Sequence, residues 1–141
     1  MTIRDSPVHR RLGAPLGVAA LAGCACVAIW LGDPTTAGGP LPVCPTKALL
    51  GIDCPGCGSL RMIYSLLHLD VVAALRYNAV ALVAVALLVW AFGAWTVGRV
   101  RGRSISSWQH QRWAATVTLA VVSIWFVVRN LPFEPFRSLY V

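Results

Sequence analysis

Three long apolar runs, separated by stretches rich in glycine, proline and charge, organise this chain. Leu12–Gly32 lies between Arg11 and Asp33, Tyr77–Gly98 between Arg76 and Arg99, and Trp113–Val128 between Arg112 and Arg129; none holds a charged residue. A membrane-spanning helix needs roughly 20 apolar residues, and the first two runs meet that length. The third is shorter and must borrow Leu131 from beyond Arg129, whose long stem can snorkel toward the interface. Spans are therefore expected over about 13–31, 78–98 and 113–131.

Between the first two spans, residues 33–77 have a different pattern. Gly32-Asp33-Pro34 ends the first helix, because Pro34 has no N–H to donate. Pro34–Pro45 is irregular connector with Gly38, Gly39, Pro40 and Pro42. A short helix is expected over Thr46–Leu50, stopped by Gly51, and then a turn at Ile52-Asp53-Cys54-Pro55-Gly56-Cys57-Gly58. From Ser59, a plausible N-cap, Leu60, Ile63, Tyr64 and Leu67 repeat at helical spacing. Asp70 can cap a further short helix, Val71–Tyr77, before Asn78 opens the second span. These short helices cannot cross a bilayer and are expected at its interface or folded back on the bundle. The pattern gives an all-α integral membrane protein: a single membrane domain over 1–141, with three transmembrane helices and short interfacial or re-entrant helices in the first loop.

Composition agrees. The chain is 57% hydrophobic and 12% charged, with a mean hydropathy of +0.70, whereas a soluble domain carries about a quarter charged residues. The lipid bilayer is the expected surroundings. A net charge of +7 does not point to nucleic acid, because the basic residues sit at segment ends and not on one face with stacking aromatics. Their placement sets topology instead. Arg4, Arg10 and Arg11 precede the first span, and Arg99, Arg101, Arg103 and Arg112 lie between the second and third; Lys47, Arg61, Arg76, Arg129 and Arg137 lie on the other side. Cytosolic segments carry the basic excess, so the N-terminus is expected in the cytosol and the 33–77 loop outside it. Trp30, Trp95, Trp108 and Trp113 fall near the expected interfaces. Leu21-Ala22-Gly23-Cys24, after Arg10-Arg11, reads like a lipoprotein processing site. The chain nevertheless stays apolar through Leu31, where a processed lipoprotein turns polar, so an uncleaved span is expected.

The candidate chemistry is in the loop. Cys24 and Cys26 lie inside the first span and read as packing residues, but Cys44, Cys54 and Cys57 crowd one irregular segment beside proline and glycine. Three readings stand. In the first, the three are metal ligands, with zinc the candidate ion; zinc takes four ligands, leaving Asp53, water or a partner for the fourth. His68 is set aside, since in an unbroken helix it stands about 16 Å along the axis from Cys57. In the second, Cys54-Pro55-Gly56-Cys57 is a thiol–disulfide motif of a membrane oxidoreductase. Cys57 would be a nucleophile with its pKa lowered by a helix N-terminus and by Arg61 one turn on, and Cys54 the resolving thiol. In the third, a disulfide simply staples the loop. Metal or staple is preferred over catalysis, so a non-enzymatic membrane component is expected, one that docks a membrane-protein partner or a second copy of itself. Cys57, Arg61, Ser65, His68 and Val72 share one helix face, on which Ser65 and His68 read as solvent-facing. Arg129, at membrane depth, either snorkels or pairs with Asp53 or Asp70.

Cys44-Pro45, Gly51–Gly58, Arg61, Leu66-Leu67-His68-Leu69-Asp70, Ala74-Leu75 and Asn78, with Arg129-Asn130-Leu131-Pro132 and Pro135-Phe136 at the end, resemble a family of small bacterial membrane proteins of unknown function whose signature is the Cys-Pro-Gly-Cys-Gly box. The resemblance covers about residues 41–136. This chain departs from it in having Leu60 where threonine is usual, Leu69 where glycine is frequent and Ala79 where proline is frequent. The resemblance implies a bacterial cell membrane and supplies no reaction.

Overall fold

The computed structural model describes residues 8–36, 38, 44–103 and 105–133, with only the backbone described over 8–11. Arg4, Gly39, Pro40, Pro42, Pro135-Phe136 and Arg137, and the side chains of Arg10 and Arg11, lie outside the described residues. The described elements are helices α1 (Val8–Gly32), α2 (Pro45–Leu50), α3 (Ser59–Leu67) and α4 (Val71–Arg101), a 3-10 turn over Trp108–His110, and α5 (Ala114–Arg129). No strand occurs among the described residues.

Two segments are long and apolar enough to cross a membrane, Leu12–Gly32 in α1 and Val71–Arg101, the whole of α4. Their most apolar windows are only 11% and 6% buried, so the rest of the described structure leaves most of their apolar surface uncovered. Leu21, Leu31, Leu88 and Trp90 are left bare, as is compatible with a lipid surround. The third expected span is shorter than the other two. α5 is apolar but has 16 residues, about 24 Å of rise against a hydrocarbon layer of about 30 Å.

The segment after α4 explains how so short a helix reaches the site. Gly102 ends α4 in the left-handed conformation, and Arg103 N–H donates back to the Gly98 carbonyl at 3.0 Å. A side chain on Gly98 would stand 2.8 Å from the Arg103 carbonyl oxygen, so only glycine fits there. From that reversal the chain runs back along α4. The Trp108 indole N–H reaches the Leu87 carbonyl at 3.3 Å, about 21 Å down the helix from Arg101. The stretch 99–112, expected as a simple loop, is thus helical as far as Arg101, and Trp108, six residues before the start of α5, lies beside Leu87 of α4.

In the first loop the local signals hold, with two shifts of detail. Pro45 opens α2, where its fixed φ suits the first turn, and Gly51 closes it at φ 65°. Gly58, at φ 78°, takes the N-cap place of α3, so Ser59 is the first helical residue and not the cap. α3 ends at Leu67, and the chain reverses through Leu69 at φ 61°. That left-handed position is where glycine costs least, and a leucine occupies it here. Asp70 caps α4 as expected, its carboxylate accepting the Ala73 N–H at 2.8 Å. Asn78 breaks the helical backbone at φ −165°, ψ 90°, and its Oδ1 accepts the Ala81 N–H at 3.0 Å. Val71–Tyr77 is thus a short helix, and Asn78 caps the apolar segment that follows it. α3 packs chiefly on α4, and both touch α1.

Candidate metal centre

Cys44 precedes α2, and Cys54 and Cys57 lie on the turn that precedes α3. Cys57 N–H donates to the Cys54 carbonyl at 3.0 Å, which curls the turn, and Cys54 N–H points at the Cys57 sulfur at 3.3 Å. The Cys54 Sγ stands 3.3 Å from both the Cys44 and the Cys57 Sγ, and the three sulfurs lie within 4.8 Å of one another. Cys57 is buried; Cys44 and Cys54 are half-buried. Three sulfurs on one zinc ion, with bonds of about 2.3 Å, would stand about 3.8 Å apart, so small shifts suffice to bring these three onto a metal ion.

No histidine or carboxylate joins the cluster among the described residues. His68 stacks on Trp30, ring centroids 4.4 Å apart, and its Nδ1 meets the Tyr64 carbonyl at 2.9 Å. Asp53, weighed as a fourth ligand, is turned elsewhere. Its carboxylate pairs with Lys47 at 3.2 Å and with Arg129 at 3.7 Å.

The loop is gripped from the far end of the chain. Arg129 Nη1 donates to the Cys57 carbonyl at 2.6 Å, and its guanidinium lies 5.6 Å from the Trp125 ring centroid. The Arg129 side chain is fully buried, as is its counter-ion Asp53, so it does not snorkel, and of the two weighed partners it pairs with Asp53. Asn130 Oδ1 accepts the Asp53 N–H at 3.1 Å, while its Nδ2 donates to the Asp53 carbonyl at 2.9 Å. From α4, Asn78 Nδ2 donates to the Pro55 and Cys57 carbonyls at 2.9 and 3.1 Å. Sequence reading gave Asn78 no part in the site. An amide at the start of an apolar run was the available signal, since a buried polar group needs partners.

The thiols are not alike. Cys44 is lowered to about 6, first by the Lys47 N–H at the start of α2 and then by the Cys54 and Cys57 thiols. Cys57 is pushed up to about 12, first by burial and then by the Cys54 and Cys44 sulfurs. This reverses the expectation of an acidic Cys57. Arg61, expected to activate it, donates its Nε–H to the Pro34 carbonyl at 3.0 Å and so ties α3 to the end of α1. Ser65, expected to face water, is buried; His68 is exposed. In metal-free, reduced protein at pH 7, iodoacetamide is expected to reach Cys44 well before Cys57. Cys44 labelling should rise through a midpoint near pH 6, because the thiolate is the nucleophile. Peptide mass spectrometry reads the order, and faster labelling of Cys57 would contradict it.

The site belongs to an all-helical protein whose three thiols converge on one point, clamped by buried side chains from α4 and the end of α5. Residues 44–92 match the family described as "Protein of unknown function (DUF2752)". The match bears out the resemblance to a family of unknown function over the part of the chain that carries the cysteines and Asn78. No curated protein and no solved structure matches the chain.

Proposed function

We propose that this chain is a multi-pass protein of the bacterial cell membrane whose extracytosolic loop holds a divalent metal ion, zinc by its donor set, on Cys44, Cys54 and Cys57. α1 and α4 cross the bilayer, and α5, with the segment folded back before it, makes the third crossing. The centre is structural. It caps the outer end of the bundle, with the fourth coordination position left to water or to a membrane-protein partner.

The observation that carries this reading is the sulfur triangle. Thiol–disulfide exchange within the trio needs the attacking and leaving sulfurs in line, yet the angle at Cys54 is at most about 93°. A ligand set needs the opposite, donors arranged round a common centre, and the three sulfurs have that arrangement. Charge supports it as well. Three thiolates on a divalent ion carry one net negative charge, which together with Asp53 balances Arg129 and Lys47 beside it. The second reading, a membrane thiol oxidoreductase with Cys57 as nucleophile and Cys54 as resolving thiol, is disfavoured by the burial that pushes the Cys57 thiol up to about 12.

One measurement separates the two. Protein purified in detergent under reducing conditions should hold about one zinc ion per chain by elemental analysis, with Cys44, Cys54 and Cys57 protected from alkylation until a chelator is added. Metal-free protein with these thiols freely alkylated, or oxidised to a disulfide in the absence of reductant, would overturn the metal reading.

A further inference from the structure

The cysteine turn lies in the first loop, yet two residues that hold its backbone lie 72 and 77 positions further on in the chain. We infer that the end of α5 is part of the metal site, so that metal binding at the three sulfurs and docking of α5 are one coupled equilibrium. This rests on the metal reading above and extends it to a residue pair outside the matched region, Arg129 and Asn130.

Three observations carry it. First, the contacts are with the backbone of the turn that sets the sulfur positions. Asn130 brackets Asp53 from both its N–H and its carbonyl, and Arg129 takes the carbonyl of Cys57 itself. A turn held at both ends has its sulfurs placed in advance of the metal, which lowers the ordering cost of binding. Second, α5 has little else to hold it. Leu119, Ile124 and Val127 along its length are 57% or more exposed, and among the described helices it packs chiefly on a few residues of α4 and the 3-10 turn. The clasp at Arg129 and Asn130 is its main polar attachment. Third, Asp53 joins the two halves electrically. It is the residue next to Cys54, it is fully buried, and Arg129 of α5 and Lys47 of α2 are its counter-ions.

If the ion orders the turn and the turn holds α5, each must strengthen the other by the same factor. Free of metal, the turn can open, and α5 then loses the Asp53 and Cys57 backbone groups that its clasp grips.

The test uses the full chain in detergent with zinc as the only added ligand. Hydrogen exchange of residues 126–133 is compared with and without zinc, and zinc affinity is measured against a competing chelator for the unmodified protein and for Asn130→Ala and Arg129→Gln. The expected results are slower exchange in those residues with zinc, and a fall in affinity of about tenfold for Asn130→Ala, larger for Arg129→Gln. Should Arg129→Gln fail to fold, the milder Asn130→Ala and the exchange measurement on unmodified protein still decide. Zinc bound with unchanged affinity in Asn130→Ala, and exchange at the α5 end indifferent to zinc, would overturn the coupling and leave the metal reading intact. Failure of the unmodified protein to bind zinc would overturn both.

Discussion

Cys54→Ser is expected to lose metal binding at least 100-fold. Cys54 is the middle member of the trio, 3.3 Å from each of the other sulfurs, so its loss leaves two donors with none between them. A structural zinc site with four ligands is worth about 10–16 kcal/mol at neutral pH, about 3 kcal/mol per ligand if shared evenly, which is roughly 100-fold. Cys24→Ser, in the exposed middle of α1, should leave binding unchanged. The pH dependence has a definite sign. Metal binding needs thiolates and releases the protons the thiols still carry. Cys57, pushed up to about 12 by burial, holds its proton at neutral pH, so zinc affinity should rise at least about tenfold per pH unit near pH 7. Chelator competition at two pH values checks both points; an affinity independent of pH, or retained in Cys54→Ser, would count against three-thiolate coordination.

The second large effect concerns the buried ion pair. Asp53→Asn preserves the shape of the side chain but leaves the buried Arg129 facing Lys47 with the shared counter-ion gone. Removing one partner of a buried pair costs about 3–5 kcal/mol, because the remaining charge stays desolvated. Arg129 is costly to strand: its Nε and Nη2 make no hydrogen bond among the described residues, and the Cys57 carbonyl and the Trp125 face are its other supports. A large drop in apparent Tm in detergent, followed by tryptophan fluorescence, is the expected result. The double variant Asp53→Asn/Arg129→Gln should recover part of the loss, since two neutral groups can hydrogen-bond where one bare charge cannot. If Asp53→Asn is as stable as the unmodified protein, the pair does not hold the loop.

Much of the fold was legible because its causes are local. An uncharged run of sufficient length specifies a helix whatever surrounds it, and α1 and the apolar part of α4 lie where the runs placed them. Pro45, Gly51 and Asp70 set their helix ends through backbone geometry that each carries with it. The mistakes came where a neighbour in space decided. Gly58 displaced Ser59 as the cap because the cysteine turn leaves through a left-handed residue. Residues 99–112 are polar enough to read as a plain loop, yet α4 continues to Arg101, and the contacts of Arg103 at Gly98 and of Trp108 at Leu87 lay the described residues that follow against α4.

The sequence by itself determined the apolar helices, the turn between α2 and α3, and the trio Cys44, Cys54 and Cys57 as the place where chemistry is concentrated. Spacing and composition carry those facts, and both are properties of short stretches of chain. Which thiol is acidic, what becomes of Arg61 and Arg129, and what grips the loop were decided only by the tertiary structure. Thiol acidity follows burial and the N–H groups that reach each sulfur, and these come from packing. The clasp joins residues more than 70 positions apart, a distance over which no local pattern predicts contact. Arg129 could be read at the sequence level as a snorkelling cation or as half of an ion pair. Burial beside Asp53 makes it the latter, and by fixing the cysteine turn it makes the end of α5 part of the candidate centre.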